Sequence, residues 1–337
     1  MERKLATIRK IAEVKSIEGA DKICAYRVDG WWVVDSVGKY QVNDLVVYAE
    51  PDSWVPTALA PFLTKAGHFP KVFEGVEGER LRTIKLRGQI SQGLLLPLST
   101  VVFFDLEDIE GTDVTDVLGI IKWEKPMNAQ LAGMARGNFP ALVPKTDQER
   151  IQNLTRSFEQ YQQDTWSITE KLDGSSCTFY LDDEDVFHVC SRNLDLKEDE
   201  ANSFWKIARK FQIEDIMRRN FMKGMAIQGE MIGEGIQGNQ YKTQLDFYVY
   251  DMYNVHTGRY ILPVQLKAAC ERLGLKHVPI LCEATEIKEQ TIQSLLEYAE
   301  GKSVLNGSNR EGVVLKSNTV HDRSFKCISN SWLLKNE

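Results

Sequence analysis

An all-β barrel in front of a separate α+β domain is the fold class the sequence predicts, and three observations predict it. The 337 residues, 43% hydrophobic and 26% charged, suffice for two compact cores and exclude disorder, collagen and a pure coiled coil. The first hundred residues carry short β-branched and aromatic runs between turn residues, with no long helical period. From Thr146 onward, helical periods alternate with strands in hairpin order, without the rhythm of a parallel βαβ sheet.

In the N-terminal part, Lys4 to Val14, Ile23 to Val28, Trp31 to Val37, Asp44 to Tyr48 and Leu81 to Leu96 read as strands, broken at Asp29-Gly30, Pro51-Asp52 and Gly88. Five such strands predict a small closed barrel of OB type, with an SH3-like barrel as the alternative. This domain covers 1–112. Residues 113–145, with scattered glycine and proline and no sustained period, are expected to connect it to a second domain over 146–337. There, Thr146-Asp147-Gln148-Glu149 has the form of a capping box, and Ile151, Leu154, Phe158 and Tyr161 follow at helical spacing, which predicts an opening helix.

Beyond it, Trp166 to Thr169, Cys177 to Leu181, Val186 to Cys190, Met225 to Met231, Asp246 to Met252 and Gly312 to Lys316 read as strands of largely antiparallel sheets. Phe204, Ile207, Ala208 and Phe211 mark one amphipathic helix. Pro263 and Leu266 to Leu273, ended by Gly274, mark a second, and Ile292 to Ala299, stopped by Gly301, a third.

Composition also limits function. No stretch approaches the ~18 apolar residues of a membrane span, and the start Met1-Glu2-Arg3-Lys4 lacks a signal-peptide core, so a soluble intracellular protein is expected. The six cysteines are far apart without a C-x-x-C, and the five histidines form no short-range pairs. That spacing argues against a disulfide scaffold and a zinc site. A net charge of −7 speaks against a protein coated in base, yet a local basic groove is compatible with it.

Lys171-Leu172-Asp173-Gly174 stands between two apolar strands. In the plain reading Asp173-Gly174 is a hairpin turn using glycine's freedom at positive φ, and Lys171 is a solvated charge. The other reading makes Lys171 a nucleophile held by the turn. An amine attacks phosphorus only when neutral, so neighbouring cations or a metal must lower its pKa.

The chain downstream resembles the covalent nucleotidyltransferases, the ATP-dependent ligases and capping guanylyltransferases. Lys171 to Gly174 match their K-x-D-G motif, Ser191-Arg192-Asn193 their motif Ia, and Gly229-Glu230 their motif III. Phe247 to Asp251 are similar to motif IIIa, Glu311-Gly312-Val313-Val314-Leu315-Lys316 to motif IV, and Ser324-Phe325-Lys326-Cys327 to motif V. The barrel lies in front, and the chain ends at Glu337, which leaves no room for an OB domain after motif V. With Val28-Asp29-Gly30-Trp31, Asp44 to Tyr48 and Pro144 to Asn153, this layout resembles the Deinococcus- and Naegleria-type ATP-dependent RNA ligases.

The resemblance implies an ATP-grasp-like adenylyltransferase domain and an RNA ligase sealing 3′-hydroxyl and 5′-phosphate ends, including those of a nicked duplex. It implies ATP with Mg²⁺ or Mn²⁺ and a monomer that does not engage membranes. Carried over residue by residue, Lys171 takes the adenylate, with Lys316 and Lys326 as further catalytic cations. Arg192, Glu230, Lys316, Lys326 and one aromatic, Tyr250 in preference to Phe247, bind ATP. Asp173, Glu230 and Glu311 are the metal candidates, through water if the ion stays hydrated. Motif V departs from the family in carrying Lys326 without a second lysine one residue away. A DNA ligase, a GTP-using capping-type transferase and a non-catalytic OB binder are the alternatives.

Two further features need placing. Gly233-Glu234-Gly235-Ile236-Gln237-Gly238 matches G-x-G-x-x-G, but no apolar helical period follows, which predicts a loop beside Glu230. Arg80, Arg82, Lys85 and Arg87 with Trp31 and Trp32 read either as a basic and aromatic nucleic-acid surface or as a solvated strand face over core tryptophans.

Overall fold

The computed structural model describes residues 3–101, 109–125 and 133–337. Residues 1–2 and 102–108 of the expected N-terminal domain, and 126–132 of the expected connection, lie outside the described residues. The chain divides into two units, one of Met1–Pro126 with Gln152–Thr155 and Leu333–Glu337, the other of Met127–Ile151 with Arg156–Trp332.

In the first unit the described strands are β1 (Ala6–Lys10), β2 (Glu13–Ser16), β3 (Ile23–Val28), β4 (Trp31–Ser36), β5 (Leu45–Ala49), β6 (Ser53–Pro56), β7 (Lys71–Phe73), β8 (Val76–Arg80), β9 (Thr83–Leu86), β10 (Gln89–Gln92), β11 (Leu94–Pro97) and β12 (Ile121–Lys122). The run Leu45 to Ala49 is apolar without alternation because β5 is covered on both faces. Val46 and Tyr48 enter one core with Trp31 and Leu95, and Val47 and Ala49 another with Ile8 and Leu96. Each large side chain so buried contributes about 1.5–3 kcal/mol.

The expected closed barrel is not what the described ladders form. They make four separate sheets, β1-β5-β11, β2-β3-β4, β9-β10 and β12-β6-β8-β7. The reason is local. The run from Lys4 to Val14 splits in two because its backbone changes partner at Ile11 and Ala12, from Asp44 to Arg27. The run from Leu81 to Leu96 breaks into three at the turn of Arg87 and Gly88, φ 47° and 85°, and again at Gly93, φ 96°. Strands β6, β7, β8 and β12 were not expected, since proline and glycine break their pattern. In the stretch 113–145, Val114, Leu118 and Ile120 join the core of this unit.

Trp31 is fully buried, and its indole N–H donates to Asn153 Oδ1 at 2.5 Å. It is a core tryptophan, not the exposed platform that a basic and aromatic surface would need. Trp32 is half-buried with Lys15 Nζ 6.0 Å from its ring.

The second unit is α+β. Its seven-stranded sheet runs β13 (Ala135–Asn138), β18 (Leu194–Leu196), β17 (Phe187–Cys190), β16 (Ser175–Leu181), β19 (Met225–Ile232), β20 (Asp246–Asn254), β21 (Arg259–Tyr260). The five-stranded sheet runs β14 (Glu149–Arg150), β24 (Ser324–Ile328), β23 (Gly312–Ser317), β15 (Thr165–Lys171), β22 (Ile280–Glu286). The pairings between the described strands of this unit are antiparallel except that of β14 with β24. The three amphipathic helices appear as Ser203–Lys210, Pro263–Leu273 and Ile292–Ala299. Asn202 caps the first through the Phe204 N–H, Gly274 at φ 68° ends the second, and Thr291 with Ser294 forms a capping box on the third.

The expected helix opening this unit is absent. Glu149 and Arg150 form β14, Ile151–Leu154 a 3-10 turn, and Phe158–Tyr161 a single helical turn. The apparent capping box does not form, because the Thr146 side chain is engaged elsewhere and its neighbour Asp147 is held by a lysine. The Thr146 hydroxyl meets the Tyr250 hydroxyl at 2.9 Å, and Asp147 accepts from Lys326.

Candidate active site

The K-x-D-G tetrapeptide links the two sheets of the second unit. Lys171 is the last residue of β15, in the five-stranded sheet, and Ser175 the first of β16, in the seven-stranded one. The two strands pair with other partners and not with each other, which removes the hairpin reading. Gly174 is absent from the positive-φ residues. Its need is space, since a Cβ there would stand 2.1 Å from the Met231 carbonyl oxygen and 3.0 Å from Glu230 Cγ. Glycine is therefore required for close approach to β19, not for turn geometry.

Strand register brings the motifs to one pocket. It is lined by Lys171, Glu170, Ser176, Arg192, Glu230, Tyr250, Lys316 and Lys326, with Thr146 and Asp147. Lys171 pairs with Gly312 across β15 and β23, which sets Glu311 beside it, and Nζ donates to Glu311 Oε1 at 2.7 Å. Ser176 faces Glu230 across β16 and β19. Burial disfavours charge on Lys171, but the carboxylates of Glu311, Glu230 and Asp173 outweigh it and hold the ammonium above the ordinary lysine value. The expected lowering by neighbouring cations is reversed, because carboxylates stand closest to this amine. Burial pushes Glu230 up to about 8, with Lys171 opposing and Glu311 and Asp173 adding to the shift.

The cations are already engaged. Lys316 Nζ lies 2.7 Å from Asp251 Oδ1 and also donates to the Tyr250 carbonyl. Lys326 Nζ is 2.8 Å from Asp147 Oδ1, and Arg192 reaches Asp147 Oδ2 at 3.5 Å. Tyr250 faces the pocket, its hydroxyl 2.7 Å from Ser176 Oγ. Phe247 is 1% exposed and packs edge-on to Phe179 at 5.2 Å, so it is a core residue away from the pocket. Asp173 donates its backbone N–H to the Tyr241 hydroxyl at 2.9 Å. Among the described residues, no group of three His, Cys, Asp or Glu side chains stands close enough to hold a metal directly. The G-x-G-x-x-G segment is a loop, with Gly233, Gly235, Gln237 and Gly238 all at positive φ.

Thr146, Asp147, Glu170 and Asp251 were missed as site residues. The first two were hidden by the capping-box pattern, and Asp251 had a signal in its place after the aromatic strand. Glu170 carried none. It is 1% exposed, one oxygen accepting from the Val304 N–H at 2.8 Å.

A family model described as RNA ligase matches residues 164–328, and one described as an OB-fold domain matches residues 5–98. Several solved structures of Naegleria gruberi RNA ligase are similar over the whole chain. A glutamate-to-alanine variant with AMP and Mn is 39% identical with a TM-score of 0.91, covering 99% of this chain and 99% of that one. A lysine-to-alanine variant with ATP and Mn is 39% identical with a TM-score of 0.91, covering 98% and 99%. The enzyme with PPi is 40% identical with a TM-score of 0.90, covering 99% and 99%. No curated protein matches the chain.

The fold, the lysine-centred pocket and these likenesses define an RNA ligase with an N-terminal OB-fold domain. The chain belongs to the RNA ligase family, that of the Naegleria gruberi enzyme.

Proposed function

We propose that the chain is an ATP-dependent RNA ligase that joins 3′-hydroxyl and 5′-phosphate ends, nicked duplexes included, through a covalent adenylate on Lys171. The observation that carries this is one amine facing a pocket with Lys316, Lys326 and Arg192 on its walls. After losing a proton, the Lys171 nitrogen forms a bond to the α-phosphorus of ATP as the bond to pyrophosphate breaks. A 5′-phosphate oxygen then takes the adenylate from the nitrogen, and a 3′-hydroxyl, losing its proton, finally bonds to the phosphorus of that 5′-phosphate as the bond to AMP breaks and AMP leaves. These are displacements at phosphorus, for which positioning and charge neutralisation supply most of the catalysis.

Within this reading Tyr250 carries the purine, and Arg192, Lys316 and Lys326 neutralise the phosphates. Arg192 presents a planar fork of donors and the lysines point charges. Glu311 Oε2 is buried without a hydrogen-bond partner among the described residues. With Glu230 and Asp173 it fits a hard divalent ion, Mg²⁺ or Mn²⁺, held through its water. Such an ion would draw negative charge off the phosphates and oppose the carboxylates that keep Lys171 protonated. All six cysteines are free, which suits a reducing intracellular compartment. A single chain is sufficient for the site.

Incubation with α-labelled ATP or GTP and a divalent ion, followed by a denaturing gel, tests the reading. ATP label with sealing of RNA ends is expected. GTP label would indicate a capping-type transferase, and no label a non-catalytic binder.

The Asp147 carboxylate occupies Lys326 and Arg192, where phosphate oxygens would otherwise sit, so it competes with the triphosphate for the same donors. Asp147→Asn is expected to lower the KM for ATP about fivefold, in line with the loss of one opposing charge at short range. A raised KM would show that Asp147 positions the two cations instead.

A further inference from the structure

A ribbon of the N-terminal unit is not used by the adenylation chemistry. Strands β9 and β10 pair from Thr83↔Gln92 to Leu86↔Gln89 around the two-residue turn Arg87-Gly88. Its base is anchored: the Val34 N–H donates to Ser91 Oγ at 2.9 Å, and Gln92 Nε2 donates to Thr83 Oγ1 at 3.2 Å. Beyond that base Ile84, Lys85, Leu86 and Arg87 are all exposed, so both faces of β9 meet solvent. Alternation sets Ile84, 47% exposed, and Leu86, 37% exposed, on one face and Lys85 on the other.

The charge here runs against that of the chain. From Arg80 to Val101 there are four cations and no carboxylate, in a protein of net charge −7. Arg80 is held by Asp52 at 2.6 Å and Arg82 by the Glu337 carbonyl at 2.9 Å. Neither Lys85 nor Arg87 has a carboxylate partner among the described residues. Arg87 stands at φ 47°, followed by Gly88 at 85°. Such turns favour asparagine, aspartate or glycine at the first position, so an arginine is kept at the tip against local preference.

We propose that this ribbon is an RNA-contact element, with Lys85 and Arg87 on backbone phosphates and the Ile84 and Leu86 face against ribose and base edges. A polyanion is the partner that two unpaired cations on a carboxylate-free ribbon fit, and A-form RNA presents a wide, shallow groove lined with ribose hydroxyls. The proposal rests on the ligase reading for its choice of RNA.

The test uses the full chain with Lys85→Gln and Arg87→Gly combined, a pair that keeps the turn because glycine suits its first position. Self-adenylation without RNA should be unchanged, while the KM for RNA ends rises roughly tenfold. The slope of log affinity for RNA against log salt should fall by about 1 for each cation removed. Unaltered RNA affinity and salt slope would overturn the proposal. So would a changed sedimentation coefficient with unaltered RNA affinity, which would assign the ribbon to contact between copies of the chain. A wild-type chain that binds RNA through the ribbon but never takes up adenylate would overturn the ligase reading alone.

Discussion

Lys171→Ala is expected to show no adenylate by intact-protein mass spectrometry after exposure to ATP and a divalent ion, with a circular dichroism spectrum like that of the wild type. The side chain is 27% exposed and ends β15, so its removal leaves the strand pairings with β22 and β23 in place. What disappears is the amine that touches Glu311. The wild type should also show a pH dependence with a definite sign. The carboxylates of Glu311, Glu230 and Asp173 hold the ammonium above the ordinary lysine value, with burial opposing them. The neutral, reactive fraction therefore grows roughly tenfold per pH unit through the neutral range, and single-turnover self-adenylation should rise with it. Labelling retained in the alanine variant would take Lys171 out of the chemistry. A rate independent of pH would mean that the amine is already neutral when ATP is bound.

Gly174→Ala should be nearly as severe for a purely steric reason. The new methyl would meet the Met231 carbonyl oxygen at 2.1 Å and Ile232 Cγ2 at 2.9 Å, distances that packed atoms do not adopt. β16 must then draw away from β19, which separates Lys171 from Glu230. Overpacking of this kind costs about 1–3 kcal/mol, a fall in Tm of roughly 2–4 °C per kcal/mol in a domain of this size. Misplacement of a reacting group by an ångström costs about a hundredfold in rate. Gly137→Ala is the control, because nothing lies within 4 Å of its added methyl. If Gly174→Ala kept both Tm and rate, the close approach would have no functional weight.

Helices with a complete local signal stand where the sequence predicts them: Pro263 at the start and Gly274 at the end bound one, and Leu295, Leu296 and Ala299 face the core from another. The β character of the first hundred residues is legible in the sequence, but the number and closure of strands are not, because neither a strand's change of partner at Ile11 nor the positive φ of Gly93 leaves a periodic signal. The helix expected after Thr146 shows the opposite error. Its pattern was complete, yet Thr146 and Asp147 find better partners in Tyr250 and Lys326, and tertiary hydrogen bonds outweigh a cap worth about 1 kcal/mol.

The candidate site divides along the same line. The identity and order of Lys171, Arg192, Glu230, Tyr250, Glu311, Lys316 and Lys326, which line the pocket or touch Lys171, stand in the sequence as members of successive motifs. Their electrostatics do not. Whether Lys171 is surrounded by cations or carboxylates, which aromatic of Phe247 and Tyr250 faces the pocket, and which carboxylate Lys326 meets depend on the registers of β15 with β23, β16 with β19, β19 with β20 and β23 with β24. Side-chain type is a local property of the chain, whereas a pKa or an ion pair depends on distances between strands far apart in sequence. Only folding sets those distances.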